Sequence, residues 1–254
     1  LMVTPQNACG DGSSNSISIV VDEPVSQSIC LVTVDDNSEN NMIVWEKNVT
    51  PVLSHYNVYR EITTNTYALI AEVHRDSISM YTDTAVNPNT TSYKYKVTAV
   101  DTCGYESVES NYHSTIHLQF LGNGNLQWTL YEVENNSNPV SFYKILRDDS
   151  TSGNWNVIDS LVPGGNSTYT DVDYDLFTNP SYRVEVVWLV TCSPTRAGVN
   201  TSRSNVRNAP SIMNGLNEKA VLNNIKLFPN PSRSDIRITG INENTNLEIY
   251  NAIG

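Results

Sequence analysis

The chain carries two copies of one pattern, and any fold assigned to it must be built twice. Trp45 in Ile43-Val44-Trp45 has its counterpart in Trp128 of Leu126-Gln127-Trp128, and Tyr59-Arg60 in Leu146-Arg147. Tyr81-Thr82-Asp83 returns as Tyr169-Thr170-Asp171, Ser92-Tyr93 as Ser181-Tyr182, and Cys103 as Cys192. In chain order the offsets are 83, 87, 88, 89 and 89 residues. Small drift at constant order is the mark of insertions in loops, so the repeat is a unit of about 89 residues.

Within each copy apolar residues alternate with polar ones, as in Tyr93-Lys94-Tyr95-Lys96-Val97-Thr98-Ala99 and Tyr182-Arg183-Val184-Glu185-Val186. Period 2 is the pattern of a half-buried strand, and no helical stripe competes with it. Turn-forming clusters separate these runs, among them Asn87-Pro88-Asn89, Gly122-Asn123-Gly124 and Pro163-Gly164-Gly165-Asn166. About seven strands per copy predict an all-β chain of tandem β-sandwiches.

Both copies resemble fibronectin type III domains. The resemblance is carried by Trp45 and Trp128 on the second strand, by Tyr56-Asn57-Val58-Tyr59-Arg60 and Tyr143-Lys144-Ile145-Leu146-Arg147, and by a sixth strand beginning at Tyr93 or Tyr182. It implies immunoglobulin-like sandwiches in which these aromatics fill the core. The expected division is the end of a preceding β-domain with a linker over 1–24, sandwiches over 25–118 and 119–208, a linker over 209–224, and an incomplete strand segment over 225–254. The opening Leu1-Met2-Val3-Thr4 lacks the basic region and apolar core of a secretory signal and reads as the interior of a longer protein.

The formal charge of -12 disfavours nucleic acid as a partner. Hydrophobic residues are 39% of the chain and charged residues 17%, so its polarity rests on Asn, Ser and Thr, a secreted or cell-surface composition. Its longest apolar stretch, Val186-Val187-Trp188-Leu189-Val190, falls far short of the roughly 20 residues of a membrane-spanning helix.

Past Pro210 the alternation stops at Ser211-Ile212-Met213-Asn214-Gly215-Leu216-Asn217, a linker composition. Then come Leu227-Phe228-Pro229-Asn230-Pro231, an alternating strand at Asp235-Ile236-Arg237-Ile238-Thr239-Gly240, a second at Leu247-Glu248-Ile249-Tyr250, and a turn ending in Gly254. The two prolines fix φ and remove backbone donors, holding Asn230 in an extended segment. This stretch resembles the start of the type A C-terminal sorting domain of the type IX secretion system, with Phe228 where the family has Tyr. The resemblance implies a Bacteroidota protein exported through periplasm and outer membrane. The implied partners are the outer-membrane translocon, a barrel shuttle protein and a sortase-like peptidase. Only about thirty residues of that domain are present, so the segment is expected to be ordered only by pairing its strands with something else.

The four cysteines, at 9, 30, 103 and 192, contain no Cys-x-x-Cys pair. In the sandwich topology implied by the resemblance, Cys30 and Cys103 fall at one pole, which makes a disulfide between them the expectation, with free buried thiols as the alternative. Asp171-Val172-Asp173-Tyr174-Asp175 begins like a calcium loop but places Leu176 and Tyr182 where Gly and Glu are needed. It reads as an acidic turn; no cofactor or metal is expected, adventitious calcium between the sandwiches aside. His113 and His117 are expected on a half-exposed strand, about 13 Å apart and unable to share a metal. Asp-Ser/Thr sequences at Ser77, Thr84, Ser150 and Ser160 resemble the O-glycosylation signal of Bacteroidota. No nucleophile, phosphate loop or triad has its usual flanks. The reading is a non-catalytic stalk of a larger exported cargo protein ending in a sorting signal. The alternative is an adhesion or polysaccharide-binding module using exposed aromatics such as Trp155 or Tyr105.

Overall fold

The alternating segments become strands in a computed structural model, which describes residues 24–47, 52–137, 139–163, 167–188 and 201–209 and the backbone of two later strands at 226–228 and 237–239. In the first repeat β1 (Ile29–Val34), β2 (Asn41–Trp45) and β5 (Met80–Asp83) form a sheet in the order β1-β2-β5. Facing it, β3 (Leu53–Thr63), β4 (Thr66–His74), β6 (Lys94–Asp101) and β7 (His113–Ser114) form a sheet in the order β4-β3-β6-β7. The second repeat rebuilds this plan. β8 (Leu118–Gly122), β9 (Asn125–Trp128) and β12 (Thr168–Thr170) make one sheet, and β10 (Val140–Asp148), β11 (Asn156–Leu161), β13 (Ser181–Trp188), β14 (Ser202–Arg203) and β15 (Arg207–Asn208) the other. The fold is the all-β sandwich the repeat predicts, made twice, of the fibronectin type III-like kind that the resemblance implies.

Each core is organised by the residues that recur. Trp45 and Tyr56 meet edge to face at 5.4 Å, and Trp128 meets Tyr143 at 6.0 Å. All four are buried, and side chains of this size contribute roughly 2–3 kcal/mol each on leaving water. The recurring aspartates have a common task. Asp83 accepts from Arg60 Nη1 (2.6 Å) and Tyr95 Oη (3.0 Å), and Asp171 accepts from Arg147 Nη1 (2.7 Å) and Tyr182 Oη (2.8 Å). Burial pushes the pKa of both tyrosines up, so each hydroxyl keeps its proton and donates.

This corrects one equivalence expected from sequence. The structural mate of Tyr182 is Tyr95, 87 residues earlier, rather than Tyr93. Tyr95 stands opposite Arg60 as Tyr182 stands opposite Arg147. Tyr93 precedes β6, and its hydroxyl donates to the Asn87 carbonyl at 3.3 Å.

The chain divides into two units, residues 1–211 and 212–254. In the second, β16 (Lys226–Phe228) pairs antiparallel with β17 (Arg237–Thr239), with Leu227 opposite Ile238. Leu227 and Phe228 of the sorting-like motif lie on β16. Pro229, Asn230, Pro231, Gly254, the strand expected at 247–250, Cys9 and Cys192 lie outside the described residues.

Candidate functional site

The six residues that join the sandwiches, His113-Ser114-Thr115-Ile116-His117-Leu118, are all buried. A connector withdrawn from water must find partners for its polar backbone groups, and here they come from both sides. Thr115 N donates to Tyr93 O (2.9 Å) and Tyr93 N donates to Thr115 Oγ1 (2.9 Å) in the first sandwich. From the second sandwich, Glu132 O accepts from Ser114 N (2.9 Å), Thr129 Oγ1 accepts from His117 N (2.9 Å), and Asn205 Oδ1 accepts from Leu118 N (2.7 Å). Asn205, itself fully buried, also donates through Nδ2 to Leu118 O at 3.1 Å. One amide side chain thus stands in for a strand neighbour.

β7 is also shared. On one side it pairs with β6, and on the other His113 bridges Val133 of the second sandwich, where Glu134 N donates to Tyr112 O at 2.9 Å. The four-stranded sheet of the first sandwich therefore continues onto the loop after β9.

A second set of contacts adds to the junction. Arg203 N donates to Thr33 Oγ1 (2.9 Å), Val206 N to Ser38 Oγ (2.8 Å), and Val32 N to Tyr131 Oη (3.0 Å). Arg207 Nε donates to Leu118 O (2.8 Å), and its Nη2 donates to Asn89 O and lies 3.2 Å from His117 Nε2. Asp36 pairs with Arg203 (2.6 Å) and Arg183 (3.4 Å), but it is 76% exposed, so these pairs contribute at most about 1 kcal/mol each.

At the centre lies an aromatic knot. His113 meets Tyr131 edge to face at 5.7 Å and Trp188 at 6.3 Å, and Tyr131 crosses Trp188 at 4.6 Å and 90°. His113 Nδ1 is 2.8 Å from Tyr131 Oη. Burial holds the His113 pKa down to about 4. Burial also lowers that of His117, with the Arg207 charge adding to the effect and the Asn89 carbonyl opposing it. Both histidines are buried, which corrects the half-exposed strand expected for them. β7 stops at Ser114, and the second sandwich covers the connector from Thr115 to Leu118.

The remaining sequence candidates are scattered. Ser77, Thr84, Ser150 and Ser160 are all exposed, on separate turns and strands. Asp83, which precedes Thr84, is buried beneath Arg60 and Tyr95. Asp171 is committed to Arg147 and Tyr182, and no group of three His, Cys, Asp or Glu among the described residues could hold a metal ion. Trp155 is not a free platform, because the Arg183 guanidinium covers its ring at 4.3 Å; Tyr105 is 51% exposed.

Cys30 and Cys103 are each disulfide-bonded. Cys30, on β1, packs with Leu31, Val44, Met80 and Trp188, and the adjacent Ile29 shares a cleft of about 370 Å³ with Ser110 and His113. Cys103 follows the end of β6 at Asp101, in the facing sheet.

Sequence reasoning missed the junction itself. Ser114, Thr129, Ser38, Thr33 and Asn205 belong to a residue class abundant throughout the chain, and nothing in their spacing separates a buried acceptor from a solvated hydroxyl. The available signal was the connector, which contains no Gly or Pro and carries Ile116 and Leu118.

No family model matches the chain, and no curated protein matches it. Solved structures similar to it are fibronectin type III proteins. An Fn3-like protein from Clostridium thermocellum is 29% identical over 36% of this chain and 86% of its own, with a TM-score of 0.28. A two-domain fibronectin type III segment from chicken tenascin is 12% identical over 75% of this chain and 100% of its own, with a TM-score of 0.27. The central fibronectin type III array of RIM-binding protein is 14% identical over 82% and 68%, with a TM-score of 0.30. Among the described residues no helix is long and apolar enough to cross a membrane.

Proposed function

We propose that the two sandwiches form a non-catalytic, fixed-angle spacer in a larger exported protein, and that Leu227-Phe228-Pro229-Asn230-Pro231 opens a type IX sorting signal that delivers it to the cell surface or medium. The buried connector carries the spacer reading. A flexible tether needs a solvated linker, whereas here residues 113–118 are buried and hydrogen-bonded on both sides. The polar interlock gives the pair one orientation, which suits a stalk that presents an upstream region at a set distance. The adhesion reading loses Trp155 as an open aromatic platform to Arg183.

The sorting half is tested by mass spectrometry of the mature C-terminus, on intact cells and in medium, in a strain with and without the translocon. The expected result is an end within about 209–225 only when the translocon works. A surface protein that keeps everything past residue 225 in both strains would make the motif an ordinary turn.

A further inference from the structure

We propose that the junction is an acid-sensitive lock, which holds the sandwiches in one orientation while His113 and His117 are neutral and releases them when both take up protons. The inference rests on the spacer reading and adds a control to it.

The surroundings of each ring favour a neutral imidazole. Tyr131 Oη accepts the Val32 N–H and lies 2.8 Å from His113 Nδ1. A protonated imidazole there is a buried cation closed in by Tyr131, Trp188 and Val133, and burial keeps the Tyr131 hydroxyl neutral, so no anion answers the charge. At His117 the conflict is one of charge. Nε2 lies 3.2 Å from Arg207 Nη2, and a guanidinium can only donate, so protonation sets two cations against each other inside the junction. The Asn89 carbonyl, 3.2 Å from the same nitrogen, can accept from a protonated ring, but it also accepts from Arg207 and carries no charge to offset the second cation.

No carboxylate stands ready to neutralise either charge. Around His113 the second sandwich contributes Tyr131, Trp188 and Val133, and β6 contributes Tyr95, whose hydroxyl is committed to Asp83. The cleft beside it holds Gln27, Ser28, Asn111 and Glu109. Glu109 is paired with Lys96 at 3.0 Å, and Glu134 and Glu132, which flank Val133, are paired with Lys96 (3.2 Å) and Lys94 (3.1 Å). Around His117 the one charged neighbour is Arg207.

Proton binding by the released state sets the direction. Released rings titrate near 6.5, and locked His113 near 4, so between these values only the released state is protonated. The lock is at full strength above about pH 7 and weakens as pH falls. For His113 alone the ratio of locked to released chains falls on the order of 10²-fold between pH 7.5 and pH 4.5. His117 moves it in the same direction.

The test uses the full chain with azide-bearing residues at exposed positions 69 and 157, one on each sandwich, spin-labelled for pulsed EPR. The His113 and His117 C2-proton resonances are tracked over the same pH range. A narrow distance distribution at pH 7.5 that broadens by pH 4.5, in step with both resonances and not in the H113Q/H117Q variant, is the expected result. A distribution that stays narrow to pH 4.5 overturns the lock and leaves the spacer standing. One that is broad at pH 7.5 overturns both. Broadening without histidine titration, or equal broadening in the variant, assigns the effect to carboxylates and overturns the lock. Should the variant not fold, the wild-type resonances decide the matter.

Discussion

Replacing Asn205 with alanine tests whether the connector is held as the structure describes. Asn205 is fully buried, and its Oδ1 is the acceptor for the Leu118 N–H, also fully buried. Asn205→Ala strips that N–H of its partner in a place water does not reach, which costs about 1–3 kcal/mol. The two lost Nδ2 bonds add little, because Leu118 O still accepts from Arg207 Nε at 2.8 Å and Asn89 Oδ1 from Ser38 Oγ at 3.3 Å. The expected loss is therefore about 2 kcal/mol, or roughly 6 °C in melting temperature for a unit of this size. Urea denaturation monitored by tryptophan fluorescence measures it. The matched control is Asn208→Ala: Asn208 is exposed, and its Oδ1 accepts from Ser181 Oγ, so its loss should stay within about 0.5 kcal/mol. Equal effects of the two substitutions would refute the view that the connector depends on a side chain for its backbone bonds.

Asp83→Ala and Asp171→Ala each leave an arginine and a buried tyrosine hydroxyl without their shared carboxylate. Each should cost about 3 kcal/mol by denaturant titration, and a loss below about 1 kcal/mol in either would break the claimed equivalence of the repeats. Gly124 and Gly104 both have positive φ, but a Cβ at Gly124 would lie 2.1 Å from the Asp171 carbonyl oxygen, while Gly104 faces open space. Gly104→Ala should cost about 1 kcal/mol of backbone strain, and Gly124→Ala clearly more; the reverse order in thermal melts would count against the turn packing. Non-reducing peptide mapping should recover Cys30 and Cys103 each within a disulfide, and a free thiol at either would count against the bonded state.

The repeat made the fold legible, because the residues that build each core are also those that recur. Trp45 with Trp128 and Asp83 with Asp171 are spaced by the architecture, and strand alternation supplied the sheets between them. The error over Tyr93 has a simple physical source. Tyr93 and Tyr95 are two apart and point to the same face, so alternation cannot choose between them; the partner Arg60 does. The junction was illegible for another reason. Ser38 and Thr33 act as backbone acceptors only because another sandwich brings an N–H to them, and Asn205 because the connector enters β8 beside it; such pairings leave no period in either segment. The histidines were misjudged likewise, since a strand pattern ignores a neighbouring domain that covers its outer face.

The double attachment of the sandwiches changes how tension would travel along the chain. A pull entering through the first sandwich reaches the second by two parallel routes. One is the connector with its Asn205 and Thr129 contacts, and the other is the flank where Thr33, Ser38 and Asp36 grip Arg203 and Val206. Neither route alone bears the whole force, so separating the sandwiches requires both sets of bonds to fail.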